Sequence, residues 1–398
     1  MEKRTHESTI VFLIGAVQFI NILDFMMVMP LGPDFSRALG IPLSHLGYIG
    51  GSYTAAASIS GLAGVFFLDR FDRRQALAVA MTGLVVGTLA GAFATGFGSL
   101  LAARIMAGAF GGPATSLSFS IISDVIPPER RGKAMGAIMG AFAAASVFGV
   151  PLGLELAARG GWRMPFLAVG LTGVLISIGV RWNLPPLRTH LDQKMEPRPL
   201  RDLVRPQVGI SLLLTSLVMM GTFVIVPNIS SYVLGNLHYP RRHLGLLYMF
   251  GGVVSFFATR IAGMLNDRLN ATSVGTFGVA LLVPVVYTGF AVEPPLVPVA
   301  ATFMLFMLSM AFRNVTYNTL TSKVPRPQER ARFQSVQSSV QHMSAALGAF
   351  LSARILSEGA NGTLIGMGRV AWVSIGISVT VPLLLFAVER SVRRAGAA

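Results

Sequence analysis

The run FINILDFMMVMPLGPDF, residues 19–35, is apolar enough to sit in lipid, yet it carries Asp24. A carboxylate in hydrocarbon costs several kcal/mol unless it faces water, finds a partner or takes up a proton. Two arginines stand in comparable surroundings: Arg104 in ARIMAGAFGG (103–112) and Arg313 in a run that continues to Asn314, Tyr317 and Asn318. These residue types can move protons and pair charges. Desolvation favours the neutral form of an acid and a nearby guanidinium favours its anion. An Asp that pairs with an Arg and then leaves it changes its proton affinity with conformation. Other chemistries find no residues. Cys is absent, which excludes disulfides and thiol-ligated metals. No phosphate-binding loop, zinc-ligand spacing or nucleophile elbow occurs, so neither catalytic residues nor a metal or cofactor is expected.

The elements that must position these groups are membrane helices. Over the 398 residues, 53% are hydrophobic and 12% are charged, and the mean hydropathy is +0.64. A soluble domain carries about 25% charged residues. Spans of about 20 apolar residues fall at 9–33, 44–68, 75–95, 98–123, 133–157, 164–184, 208–234, 243–265, 273–292, 296–320, 333–356 and 367–388. The polar, Pro- and Arg-rich stretch 185–206 divides them. The expected organisation is a six-helix bundle over 1–184, a cytoplasmic linker over 185–206 and a second bundle over 207–398.

The net charge of +15 is a topology signal here and not a nucleic-acid patch. Most Lys and Arg lie on the side reached by even-numbered spans, in DRFDRR, ERRGK, the linker, NDR, RPQERAR and the tail. By the positive-inside rule that side is cytoplasmic, with both termini inside. The apolar run from Thr9 is too long for a signal peptide's core.

The two halves repeat. IPLSHLG (41–47) returns as YPRRHLG (239–245), Asp69-Arg70 as Asp267-Arg268, and PPERRGKA (127–134) as RPQERARF (326–333). Parallel repeats of this kind describe a known transporter architecture. Pro30 aligns with Pro227, which sets Asp24 against Gly221. The acid is therefore present in one half only.

Several stripes could line a cavity. Gln18, Asn21, Phe25 and Met29 share a helical face with Asp24 at its edge. The alternative is simple hydrogen bonding between helices. Asp24 and Arg104 lie about nine and six residues below the outer ends of their spans, a depth difference of about 5 Å. That permits a charge pair, and the alternative is that Arg104 braces backbone carbonyls. Arg313 with Tyr317 and Asn314 with Asn318 make two adjacent rows, unless Arg313 snorkels toward the cytoplasm. Asn228 beside Pro227 is a further candidate. His342 reads as a packed, hydrogen-bonded histidine or as a proton relay. Gly132, Gly136 and Gly140 fall on one face where a neighbouring helix could approach closely. Gly149, Pro151 and Gly153 mark a kink or a hinge in the fifth span.

At these residues the chain resembles the major facilitator superfamily over its whole length. VFFLDRFDRR (65–74) is similar to that family's loop motif G-x-L-x-D-R-x-G-R-[RK], with Val65, Phe67 and Asp72 as departures. ARIMAGAFGG is similar to its R-x-x-x-G-x-x-G motif, and GVPLGL to the Gly-Pro motif of the drug:proton antiporter branch. The resemblance implies an all-α fold of twelve helices in two parallel six-helix repeats. It implies a secondary active transporter and not an enzyme. The function expected is proton-coupled efflux of a small lipophilic or amphipathic compound by alternating access, in a monomer of the inner membrane. A sugar or metabolite facilitator or symporter, or a lysolipid flippase, would share the fold. Asp24 and Arg104 would couple protons. Asp69, Arg70, Arg73, Asp124, Asp267 and Arg268 would form the cytoplasmic gate, with Asp69 meeting the N-terminal end of helix 11 and Arg73 pairing with Asp124. The partners implied are protons, the small-molecule substrate and the lipid bilayer.

Overall fold

A computed structural model of the chain describes residues 7–188, 205–326, 329–359 and 362–396. It contains fifteen α-helices among the described residues. In the first half these are α1 (Glu7–Val28), α2 (Gly32–Leu39), α3 (Leu46–Phe67), α4 (Arg73–Ala92), α5 (Phe97–Val125), α6 (Pro128–Ala144), α7 (Val150–Gly160) and α8 (Arg163–Asn183). The second half has α9 (Pro206–Phe223), α10 (Ile229–Gly235), α11 (Leu244–Arg268), α12 (Ala271–Val286), α13 (Val299–Thr321), α14 (Arg330–Ile355) and α15 (Met367–Gly396). Ten helical segments are long and apolar enough to cross a membrane. With α3 and the glutamine- and serine-rich α14 they make the twelve expected spans. A two-residue hairpin, β1 (Ser357–Glu358) with β2 (Leu364–Ile365), lies between α14 and α15.

The chain divides into two compact units, Met1–Ile41 with Ser52–Glu196 and Pro42–Gly51 with Pro197–Ala398. The same packing recurs in each. In the first, α1 packs on α5, α6 and α8, and α4 on α5 and α8. In the second, α9 packs on α13, α14 and α15, and α12 on α13 and α15. Most of the linker, 189–204, lies outside the described residues.

Breaks in the helices follow the prolines. The first span is not one helix over 9–33. It stops at Val28, turns through Met29–Leu31 and resumes as α2, because Pro30 and Pro33 lack the N–H that would continue the ladder. Met29 therefore leaves the helical face expected for it, although it is buried. Pro227 interrupts the seventh span in the same way, between α9 and α10. In the fifth span a π-turn over Ala145–Gly149 separates α6 from α7, its N–H of Val150 bonding Ala145 O. The wide turn accommodates the ring of Pro151 against the preceding turn.

Helix starts repeat as well. Asp72 caps α4 by accepting the N–H of Arg74 at 2.9 Å. Asn270, its counterpart in the second half, caps α12 by accepting the N–H of Ser273 at 2.8 Å. Asp72 thus does not stand in for a turn glycine. Its φ of −55° is ordinary, and it is an N-cap. One close approach expected along the fifth span is missing: a side chain at Gly136 or Gly140 would meet nothing within 4 Å.

Candidate functional site

The first unit brings four helices together around one buried ion pair. Arg104 Nη1 donates to both carboxylate oxygens of Asp24, at 3.0 and 2.9 Å, and Nη2 donates to the Asp24 carbonyl at 3.4 Å. The two residues are 1% and 0% exposed. Thr88 of α4 adds a hydroxyl donor to Asp24 Oδ1 at 2.8 Å. Tyr53 of α3 lays its ring under the Arg104 guanidinium, 4.6 Å from carbon to ring centroid. That cation–π contact lends further compensation in a desolvated place. Arg104 braces a carbonyl and pairs with the acid at once, so the two sequence alternatives are not exclusive.

The glycines of the R-x-x-x-G-x-x-G run make this arrangement fit. A Cβ at Gly108 would strike the backbone of Tyr53, and one at Gly111 would lie 2.7 Å from Asn21 Oδ1 and against the Tyr53 hydroxyl. Bare backbone on α5 therefore lets α3 deliver Tyr53 to Arg104. The Tyr53 hydroxyl donates to Asn21 Oδ1 at 2.6 Å. Asn21 Nδ2 in turn donates to Gly111 O at 3.0 Å and to Thr115 at 2.7 Å. Thr115 donates to Gln18 at 3.4 Å. Gln18 and Asn21 are buried and bonded between helices, whereas Phe25 is half-buried and stacks on Tyr53 with centroids 5.4 Å apart.

Sequence reading missed Tyr53, Thr88 and Thr115. Tyr53 stands in an otherwise Gly-, Ala- and Ser-rich helix, and Thr88 faces Asp24 from the middle of α4. Those isolated polar groups were the available signal. The hinge residues differ from one another. A Cβ at Gly149 would come within 2.7 Å of the Leu23 methyl end, so that side chain would have to shift. At Gly153 the nearest atoms, 3.9 Å away, would tolerate one.

In the second unit Arg313 is fully buried, but no carboxylate reaches it among the described residues. Nη1 donates to Ser378 Oγ at 3.4 Å and Nη2 to the Thr222 hydroxyl, while Nε has no partner. It does not snorkel. Tyr317 is packed in an apolar cluster with Leu214, Val218, Val279 and Val381, and its hydroxyl accepts from Gln341 at 2.7 Å. This removes Tyr317 from an open lining. Asn318 is exposed and bonds Asn314 O at 3.0 Å. Asn228 lies apart, buried against α14 with Nδ2 donating to Ser352 at 2.9 Å. His342 is half-buried and has no hydrogen-bond partner among the described residues.

At the loop end, Arg73 Nε pairs with Asp124. Arg70, Asp267 and Arg268 are exposed at helix ends. The side chain of Asp69 and the residues 327–328 before α14 lie outside the described residues. Asp72 accepts the Leu187 N–H at 3.2 Å and Arg188 Nε at 3.1 Å. Burial alone would raise its carboxyl. The N–H groups of Leu187 and Arg74, with Arg188, nevertheless hold it below the ordinary carboxylate range.

No group of three or more potential metal ligands occurs among the described residues. Comparison with known proteins agrees with the arrangement of spans. The model of the Major Facilitator Superfamily matches residues 14–349. A chloramphenicol resistance protein of Streptomyces lividans is 26% identical over 74% of this chain and 76% of its own length. The purine ribonucleoside efflux pump NepI of Escherichia coli K12 is 25% identical over 65% of this chain, and the match spans just under two thirds of the pump, 64%. The fold is similar to that of a bacterial homologue of the human lysosomal transporter Spinster in an inward-facing, unoccupied conformation. That likeness has a TM-score of 0.76 at 15% identity and covers 99% of both chains. A bundle of twelve spans in two like-packed halves, matched by the family's model over most of its length, makes the chain a member of the Major Facilitator Superfamily of membrane transporters.

Proposed function

We propose that the protein is a secondary active exporter of the bacterial inner membrane, acting as a monomer with both termini cytoplasmic. It exchanges protons for a small lipophilic or amphipathic compound by alternating access and needs no cofactor. The observation that carries this reading is the Asp24–Arg104 pair. Asp24 is the one carboxylate deep inside a described span, and its charge is compensated by a single arginine and one hydroxyl. Protonation of Asp24 would remove the ionic attraction and leave Arg104 on the Tyr53 ring, a poorer partner. Each proton taken up thus favours rearrangement of α1 against α5. That is the coupling an antiporter requires, because a ligand shifts a conformational equilibrium only through its differential affinity for the two states.

The names of the relatives, chloramphenicol resistance and purine ribonucleoside efflux, support export over import. The second name also favours a more polar cargo. The test is transport in proteoliposomes with an imposed pH gradient, offering chloramphenicol, a purine ribonucleoside and a lysolipid in separate arms. Accumulation of one compound against its gradient, abolished by a protonophore, is the expected result. Transport that only equilibrates, indifferent to the pH gradient, would leave a facilitator as the better reading. Movement of the lysolipid alone would point to a flippase.

A further inference from the structure

Among the described residues Arg313 is a formal charge with no counter-charge bonded to it. Of the five described carboxylates of the second unit, Asp267, Glu293, Glu329 and Glu358 lie at helix ends, in a loop or in the hairpin, and Glu389, about two turns before the end of α15, is engaged by Thr272 and Arg393. None is bonded to Arg313, whose partners are the Thr222 and Ser378 hydroxyls. Hydroxyl oxygens offer a guanidinium partial charges only, and one of its donors, Nε, is unsatisfied. A buried ion in this condition destabilises its surroundings, and an intramembrane ionisable group without a counter-charge marks a functional site. No carboxylate among the described residues supplies the missing charge.

We propose that Arg313, with Thr222 and Ser378, is a binding site for a monoanion, of the carboxylate or halide class. The guanidinium presents Nη1 and Nη2 as a fork, now occupied by two neutral oxygens from α9 and α15. A carboxylate matches that fork in a bidentate way. Thr222 and Ser378 can then turn their hydroxyls, which are rotors, to donate to the same anion. Thr222 at present spends its proton on Val218 O at 2.8 Å, a bond within its own helix that it can exchange without leaving a backbone donor unsatisfied. Ser374, one turn from Ser378, donates to Gly221 O at 2.7 Å and ties α15 to α9 beside the site. The cargo and the medium are the two sources of such an anion; the binding does not rest on proton-coupled export, although a cargo bearing a carboxylate would extend that reading.

The site is tested on the purified full-length protein in detergent, without a pH gradient, so that its failure and the failure of proton coupling are separate results. Thermal unfolding is followed by tryptophan fluorescence in potassium sulfate, with sodium benzoate or potassium chloride replacing it at equal ionic strength. A saturable upward shift with benzoate, at lower concentration than with chloride, assigns an organic carboxylate. The reverse order assigns an inorganic anion. In either case Arg313→Gln weakens the apparent affinity by about tenfold or more, the loss expected for a charge-assisted bond. Thr222→Val, which keeps the charge, weakens it by a smaller factor. The proposal is overturned if neither anion shifts the wild-type midpoint, or if the shift persists undiminished in Arg313→Gln. Should Arg313→Gln fail to fold, an undiminished shift in Thr222→Val overturns it equally.

Discussion

Each unit holds one arginine fully buried in the interior of a helix, and the two are treated differently. Arg104 meets a carboxylate, a carbonyl and an aromatic face, so its surroundings are close to electrically complete. Arg313 meets two hydroxyls and no carboxylate among the described residues, and in both guanidiniums Nε goes without a hydrogen bond there. The helices that carry them come from the same repeat: α5 and α13 are the fourth spans of their halves. Duplication therefore fixes the scaffold and leaves the charges free to differ. The first unit holds a pair that can be opened by a proton. The second holds a charge that no described carboxylate meets.

This comparison can be broken most forcefully at Arg104. Arg104→Met leaves Asp24 buried beside one hydroxyl, and removing one partner of a buried pair costs about 3–5 kcal/mol. We expect a large drop in thermal midpoint, partly recovered in the double variant Arg104→Met/Asp24→Asn. No recovery in the double variant would mean that the guanidinium acts through packing and not through charge. The opposite sign is expected in the second unit. In sulfate alone, Arg313→Met removes an uncompensated ion from an apolar neighbourhood and stabilises by about 1–3 kcal/mol. A loss of midpoint there would show that Thr222 and Ser378 suffice as partners.

A smaller effect is expected at the loop. Asp72→Ala removes the α4 cap and the tether of Leu187 and Arg188, at a loss of about 1 kcal/mol. The sign of its pH dependence follows from its lowered carboxyl. Its folded-state contribution is complete above the unfolded value near 4 and is lost as pH falls through the lower folded value. Amide exchange at Leu187 should accelerate over that acid range in the wild type and be fast throughout in Asp72→Ala. The smallest change is Tyr53→Phe. It deletes the hydroxyl bond to Asn21 and keeps the ring under Arg104, so about 1 kcal/mol of stability is expected to go with the ion pair intact.

The fold was readable because it rests on coarse signals: span length, the basic side and a repeat visible in Asp69-Arg70 and Asp267-Arg268. Asp24 and Arg104 were legible for the same reason, since ions in apolar runs stand out. Tyr53, Thr88 and Thr115 were not, because a hydroxyl in a membrane helix can satisfy itself on its own backbone and its sequence position says nothing of its direction. Thr88 has both choices, its single hydroxyl proton lying within reach of Leu84 O at 2.9 Å and of Asp24 Oδ1 at 2.8 Å. The glycines at 108 and 111 carried a motif whose purpose, admitting Tyr53, needed the neighbouring helix to be seen. Tyr317 and Asn228 looked like lining groups and are packed, because periodicity gives a helix face but not what covers it.

Asp24→Asn tests the account most directly, since it keeps the shape of the side chain and much of its hydrogen bonding but cannot titrate. The measurement is uphill export in proteoliposomes energised by a pH gradient alone, beside exchange of labelled for unlabelled compound at equilibrium. We predict that the variant binds and exchanges its cargo and no longer accumulates it against a gradient. Uphill export by Asp24→Asn at the wild-type level would contradict the assignment of proton coupling to this residue.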